Sequence, residues 1–205
     1  MKEDHEGDMV PRQKKGAETN AEESVTAFSL EEAKLIFMKA KERLLDIDHW
    51  HRWSGFGSAT FHVTDEKGRR LERSAREGDL VCIDIPGPGN SEGDGKDWVR
   101  VEAIESSYDA ANDYEVFSLV VRPTSNPKSS SGETAHFYSS DATSTYMVQR
   151  EGRKVWAAEH GRNETPNTDV DKALDKARNA AVALGGMAGL SKLQWKALVK
   201  GLLEK

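Results

Sequence analysis

Between residues 77 and 105 the chain reads EGDLVCIDIPGPGNSEGDGKDWVRVEAIE, two apolar runs on either side of a loop too rich in Gly and Pro for any helix to cross. The same texture recurs along the chain. Runs at 59–63, 80–85, 98–104, 114–121, 145–149 and 154–160 are strand-like, and turns such as Glu66-Lys67-Gly68 and Glu151-Gly152-Arg153 separate them, the second joining a hairpin. In Trp98-Val99-Arg100-Val101-Glu102-Ala103 and in Val155-Trp156-Ala157-Ala158-Glu159 an imperfect alternation sets one buried face against one wet face. The pattern predicts an antiparallel meander. Residues 123–133, PTSNPKSSSGE, read as a mobile loop within it.

Helical periodicity brackets the strands. Ser29 followed by Glu32 forms a capping box, and Leu30, Ala33, Ile36, Phe37, Ala40, Leu44 and Ile47 then recur at three- and four-residue intervals, an apolar stripe that must pack on something. Near the other end, Thr168-Asp169 caps a run in which Val170, Ala173, Ala177, Ala181 and Leu184 share a face, and Gly185-Gly186 ends or kinks it. Ser191 with Gln194 offers a second capping box for a closing helix. Its Trp195, Leu198, Val199 and Leu202 form an apolar side opposite Lys192, Lys196 and Lys200. Residues 1–25 are polar and carry too little apolar surface to offset the entropy of ordering, so they are expected to be a disordered tail before a single α+β domain over 26–205.

Composition narrows the function classes. The chain of 205 residues is 31% charged with a net charge of -6, an acidic balance that argues against a general nucleic-acid binder, since phosphate neutralisation needs a concentrated excess of Lys and Arg. No apolar run approaches membrane-spanning length, and the first residues lack the apolar core of a signal peptide, so the expected compartment is the cytoplasm. The single cysteine, Cys82, rules out an internal disulfide and reads as a small buried thiol in VCIDI.

Several short motifs touch on chemistry. Gly89-Asn90-Ser91-Glu92-Gly93 matches G-x-S-x-G, but a nucleophile elbow needs a helix directly after the serine, and here glycines and a strand follow. Asn90, Glu92, Asp94 and Gly95 copy half a calcium loop whose closing carboxylate position holds Val101. A phosphate-loop reading fails because Gly95-Lys96 is followed by Asp97 rather than Ser or Thr. Asp48, His49 and His51, within DIDHWH, gather oxygen and nitrogen donors suited to zinc or a similar ion, although histidines at a helix C-terminus also answer its dipole without metal. Trp50, His51, Arg52, Trp53, Phe56 and Phe61 make the densest aromatic stretch. It reads as core, or as the mouth of an apolar pocket with His51 or Arg52 as polar anchor.

The order of capped helix, the ending DIDHWHRW, antiparallel strands and a long final helix resembles the helix-grip pattern of START-like, or polyketide-cyclase-like, proteins over about residues 24–203. That resemblance implies a first strand near 23–28 and an apolar ligand held between sheet and helix, and it implies no shared catalytic residues. The whole chain is also similar to a set of small bacterial proteins, a resemblance that implies no particular activity. The fold class is therefore read as α+β: a curved antiparallel sheet of about six or seven strands, an N-terminal helix and a long, kinked C-terminal helical segment. An SH3-like barrel between helices is the alternative. The expected function is non-enzymatic binding of a small apolar molecule, with no cofactor. The alternatives are a protein-interaction or regulatory module using the C-terminal helix, and a metal-assisted hydrolase or isomerase using Asp48, His49 and His51.

Overall fold

The six strand-like runs fold as neighbouring members of one antiparallel sheet because their alternation leaves one apolar face to cover, and tight turns at 110–113 and 152–153 join two of the successive pairs. The computed structural model describes residues 9–54, 59–86, 89–168 and 188–204. Its strands are β1 Ala17–Thr26, β2 Thr60–Thr64, β3 Leu80–Asp84, β4 Asp97–Asp109, β5 Tyr114–Pro123, β6 Thr143–Glu151 and β7 Lys154–Glu164, in the sheet order β1-β7-β6-β5-β4-β3-β2. The sheet is curved, and a register shift between Val101 and Ala103 marks a bulge in β4, its longest strand. The fold is α+β. The SH3-like alternative does not arise, since the runs that suggested it are β3 and β4, adjacent strands of a single seven-stranded sheet.

From β1 at one edge the chain crosses to β2 at the other through helix α1, Leu30–Leu45, and a 3-10 turn, Ile47–Arg52. The predicted cap opens α1: the Glu32 N–H donates to Ser29 Oγ at 3.1 Å, and the Glu32 carboxylate reaches back to the Phe28 N–H at 2.6 Å. Ala33, Ile36, Phe37, Ala40 and Leu44 lie buried against the sheet, as their spacing requires. Helix α2, Ala188–Leu202, closes the described chain, with Leu198, Val199 and Leu202 fully buried and Leu193, Lys196 and Lys200 exposed. It begins before Ser191, so Ser191 is not its cap. The predicted helix over 170–184 and the Gly185-Gly186 kink fall outside the described residues.

Arg43 locks the two helices together. From α1 its Nη1 donates to the carbonyls of Gly201 at 3.0 Å and Leu202 at 3.1 Å, and also to that of Glu204, at the end of α2 where helix carbonyls run short of partners. Gly201 permits the approach: a Cβ there would stand 2.5 Å from Trp53 Cβ.

The expected disorder over 1–25 does not extend across residues 17–25, which form most of β1. Local composition disfavours a strand here. Pairing with β7 supplies the backbone partners, while Ala21 and Val25 touch the core. The order reaches further back because Asn163, held at φ 56, clamps the preceding segment. Its Oδ1 accepts from the Lys14 N–H at 2.7 Å and the Lys15 N–H at 3.2 Å, and its Nδ2 donates to Arg12 O at 3.2 Å. The loop after β5, read as mobile, is likewise tied to β4: the Trp98 N–H donates to Ala135 O and the Thr124 N–H to Trp98 O. Among the described residues no helix is long and apolar enough to cross a membrane.

Candidate functional site

The inward face of the sheet alternates with the outward one, and its residues decide what the helices enclose. Phe61 on β2 and Tyr146 on β6 project inward, the 3-10 turn delivers Trp50, and α2 delivers Trp195. Trp50 lies 4.6 Å from Tyr146 and 5.4 Å from Phe61 between ring centroids. Trp195 stands edge-on to Tyr146 at 5.3 Å and to Trp50 at 6.4 Å. The indole N–H of Trp50 donates to Leu44 O at 3.1 Å, which fixes the ring.

Of the six residues expected to frame a pocket, Trp50 and Phe61 are in this cluster. Trp53 lies half-buried beneath the end of α2 with the Arg43 guanidinium 5.6 Å from its ring centre. His51 and Arg52 are exposed, and Phe56 falls outside the described residues. Tyr146 and Trp195 join the cluster from distant parts of the chain.

Asp48, His49 and His51 are adjacent in sequence but engaged separately. Asp48 accepts from the Val63 N–H at 2.9 Å and from Arg70 at 3.1 Å (Nε) and 2.8 Å (Nη2), with His62 Nδ1 at 3.3 Å, and so pins the 3-10 turn to β2. His49 Nδ1 sits 2.8 Å from both oxygens of Asp46, and His51 Nδ1 lies 3.1 Å from the carbonyl of Asp48. Among the described residues no three His, Cys, Asp or Glu side chains come together as a metal site would require.

A different acidic group stands in the interior. On β7 the inward positions are Val155, Ala157, Glu159 and Gly161, and Glu159 is only 1% exposed, directly across from Tyr146. Its Oε1 has no hydrogen-bond partner among the described residues. Burial pushes its carboxyl well above the usual carboxylate range and the neighbouring Glu164 adds to this, whereas Arg162 and the Ser144 hydroxyl oppose it. The shift favours the protonated form, which can donate one hydrogen bond and accept others. Burial also raises the phenols of Tyr146 and Tyr138, reinforced by these carboxylates, so both remain protonated donors.

Gly161 makes the geometry possible, since a Cβ there would stand 2.4 Å from Glu164 Oε1 and 2.3 Å from Thr19 Oγ1. Tyr138 bridges to Pro166 and hydrogen-bonds Glu164, while Thr19 Oγ1 donates to Glu164 Oε1 at 3.1 Å. The constellation of Glu159, Glu164, Tyr138, Tyr146 and Ser144 was not singled out from the sequence. A signal for it exists: the alternation through Val155 and Ala157 puts a carboxylate on the buried face two residues later.

No protein-family model and no curated protein matches this sequence. Among solved structures, the chain is similar to a hypothetical protein of Helicobacter pylori at 14% identity, covering 89% of this chain and 86% of that one, with a TM-score of 0.45. It is also similar to the Zhui aromatase/cyclase of a Streptomyces species, at 10% identity over 91% of this chain and 94% of that one, TM-score 0.40. A third is a Thermus thermophilus protein, at 13% identity over 91% and 94% respectively, TM-score 0.40. With TM-scores below 0.5 the likeness is a broad one. At these identities it says nothing of substrate or mechanism.

Proposed function

We propose that the protein is a cytoplasmic, non-enzymatic binder of a small, largely apolar molecule held between the sheet and the C-terminal helical segment, with Glu159 meeting the molecule's polar group. The observation that carries this reading is the buried Glu159 carboxyl, one oxygen of which is left unpaired among the described residues. Leaving such a group unmatched costs about 1–3 kcal/mol, and an apolar residue would pack here as Val155 and Ala157 do. A hydroxyl or carbonyl on a ligand would supply the missing partner, and the rings of Trp50, Phe61, Tyr146 and Trp195 would offer it aromatic surface.

The reading is tested by titrating 2-naphthol and naphthalene into the protein and its Glu159→Leu variant, following tryptophan fluorescence, with native mass spectrometry of freshly purified protein alongside. The expected result is a preference of about tenfold for 2-naphthol, the worth of one hydrogen bond, that disappears in Glu159→Leu. Absence of binding by either compound, together with a bare protein mass, would refute it.

A second reading rests on the place of Glu159, buried directly across from Tyr146 with the Glu164 carboxylate close by. Burial and a neighbouring carboxylate shift its carboxyl upward, the direction a general acid requires. Turnover of a bound compound that is lost in Glu159→Gln, while binding persists, would favour catalysis over simple binding.

A further inference from the structure

The outward face of the sheet carries a separate cavity of about 320 Å³, at the end where β2, β3 and β4 lie side by side. Its floor is a cross-strand row in strict register, His62 opposite Cys82 opposite Trp98, each alternating with residues that face the helices. The loop before β4 forms one wall and supplies Asp94 and Lys96, and the loop after β5 brings Asn126 and Lys128. Both walls are held firmly. A Cβ on Gly93 would stand 1.7 Å from Lys96 O, and Asn126, 2% exposed, donates to Asp94 Oδ2 at 3.3 Å and accepts from the Lys128 N–H at 3.0 Å.

We infer that this cavity is a second ligand site, for a small organic anion with a flat apolar body. Its volume lies within the range of small-molecule pockets, roughly 300–1,000 Å³, and the Trp98 ring gives it an apolar floor. The unused hydrogen-bonding capacity around it includes donors. The indole N–H of Trp98, in a side chain 4% exposed, has no partner among the described residues.

The charged groups around the cavity point the same way. Arg70 is paired with Asp48 at 2.8 Å, with His62 beside that carboxylate, and Lys96 is paired with Asp84. The one wall carboxylate, Asp94, is turned toward the Asn126 amide, from which its Oδ2 accepts at 3.3 Å, and it keeps its charge. Lys128 makes no ion pair among the described residues. An acceptor-rich, negatively charged group therefore meets the Lys128 ammonium, unpaired among the described residues, and the remaining protons of Lys96. A cation or a neutral hydrocarbon would leave these donors unmatched.

Cys82 lines the cavity and is the only cysteine in the chain, which gives the test a located reporter. Phenyl phosphate is titrated into the full chain by calorimetry, and the rate of N-ethylmaleimide addition to Cys82 is measured with and without it. Phenol and inorganic phosphate serve as the apolar and anionic halves of the probe. Phenyl phosphate is expected to bind, to slow alkylation at saturation more than either half does, and to weaken as salt is added.

Lys128→Gln, an exposed change that should not disturb folding, is expected to weaken binding about tenfold, as loss of a charged hydrogen bond does. It should leave 2-naphthol binding in the interior unaltered, which separates failure of this site from failure of the interior one. The inference is overturned if calorimetry detects no binding of phenyl phosphate. It is overturned equally if phenol protects Cys82 as well, or if Lys128→Gln and Lys96→Gln together leave the affinity unchanged.

Discussion

Replacing Glu159 by Gln removes a titrating group from the interior with almost no change of shape, and the consequence for stability depends on pH in a calculable way. In the unfolded chain this carboxyl ionises near its ordinary value of 4.5, whereas in the folded protein burial and Glu164 hold it protonated until well above that. Between those two pKa values the unfolded state has released a proton that the folded state retains. Native stability therefore falls as pH rises through this window, by about 1.4 kcal/mol per pH unit for one proton. The glutamine does not titrate. The stability difference between variant and parent should be flat below about pH 4 and should grow in favour of Glu159→Gln above it, until the pH passes the folded-state pKa. Urea denaturation of both proteins in steps from about pH 4 to about pH 8, at equal ionic strength, measures this difference directly, because contributions from groups common to both largely cancel. A difference that stays constant across the range would show that Glu159 is already ionised in the folded protein, and would remove the neutral acid on which the interior site is built.

Trp195→Ala should destabilise the protein by about 3 kcal/mol, as truncation of large aromatic groups in cores does, while the exposed Lys196→Ala should stay within about 0.5 kcal/mol of the parent; equal denaturation midpoints would mean that α2 is not held by its aromatic contacts. Gly201→Ala should lower the melting temperature through a clash with Trp53 worth about 1–3 kcal/mol, against the gain of about 1 kcal/mol that alanine normally brings to a helix; a stabilised variant would refute the close approach. Asp48→Ala should cost about 1–3 kcal/mol by orphaning the Val63 N–H and Arg70, equally in the presence and absence of EDTA; a loss seen only without chelator would restore the metal reading of DIDHWH.

Much of the fold was legible because its determinants are local. The Ser29–Glu32 cap and the stripe from Ala33 to Leu44 predict α1 from a single turn's chemistry and a period of 3.6. The six strand runs follow from alternation between turn residues, and their number and order suffice for an α+β sheet. The strand β1 was not legible from its own residues, and the START-like resemblance implied only a short strand near 23–28 where β1 is Ala17–Thr26. AETNAEESVT has neither β-branched density nor a strong apolar face, and what makes it a strand is the exposed edge of β7, far along the chain, together with the Asn163 clamp on residues 12–15.

The candidate sites divide on the same principle. Sequence determined which chemistry was available: an aromatic stretch at 50–61, a knot of donors at 46–51, and a carboxylate two residues beyond Ala157. Tertiary structure decided which of these groups were already answered. Asp48 and His49 found partners as soon as the turn met β2 and Asp46, whereas Glu159 met a tyrosine and a second carboxylate in a place shut off from water. The outward cavity had no counterpart in the sequence at all. Its lining comes from β2, β3, β4 and two loops, brought within reach of one another only when the strands pair in register. Hydrogen-bond demand and burial are properties of where a residue ends, and the chain encodes that only through contacts between residues far apart along it.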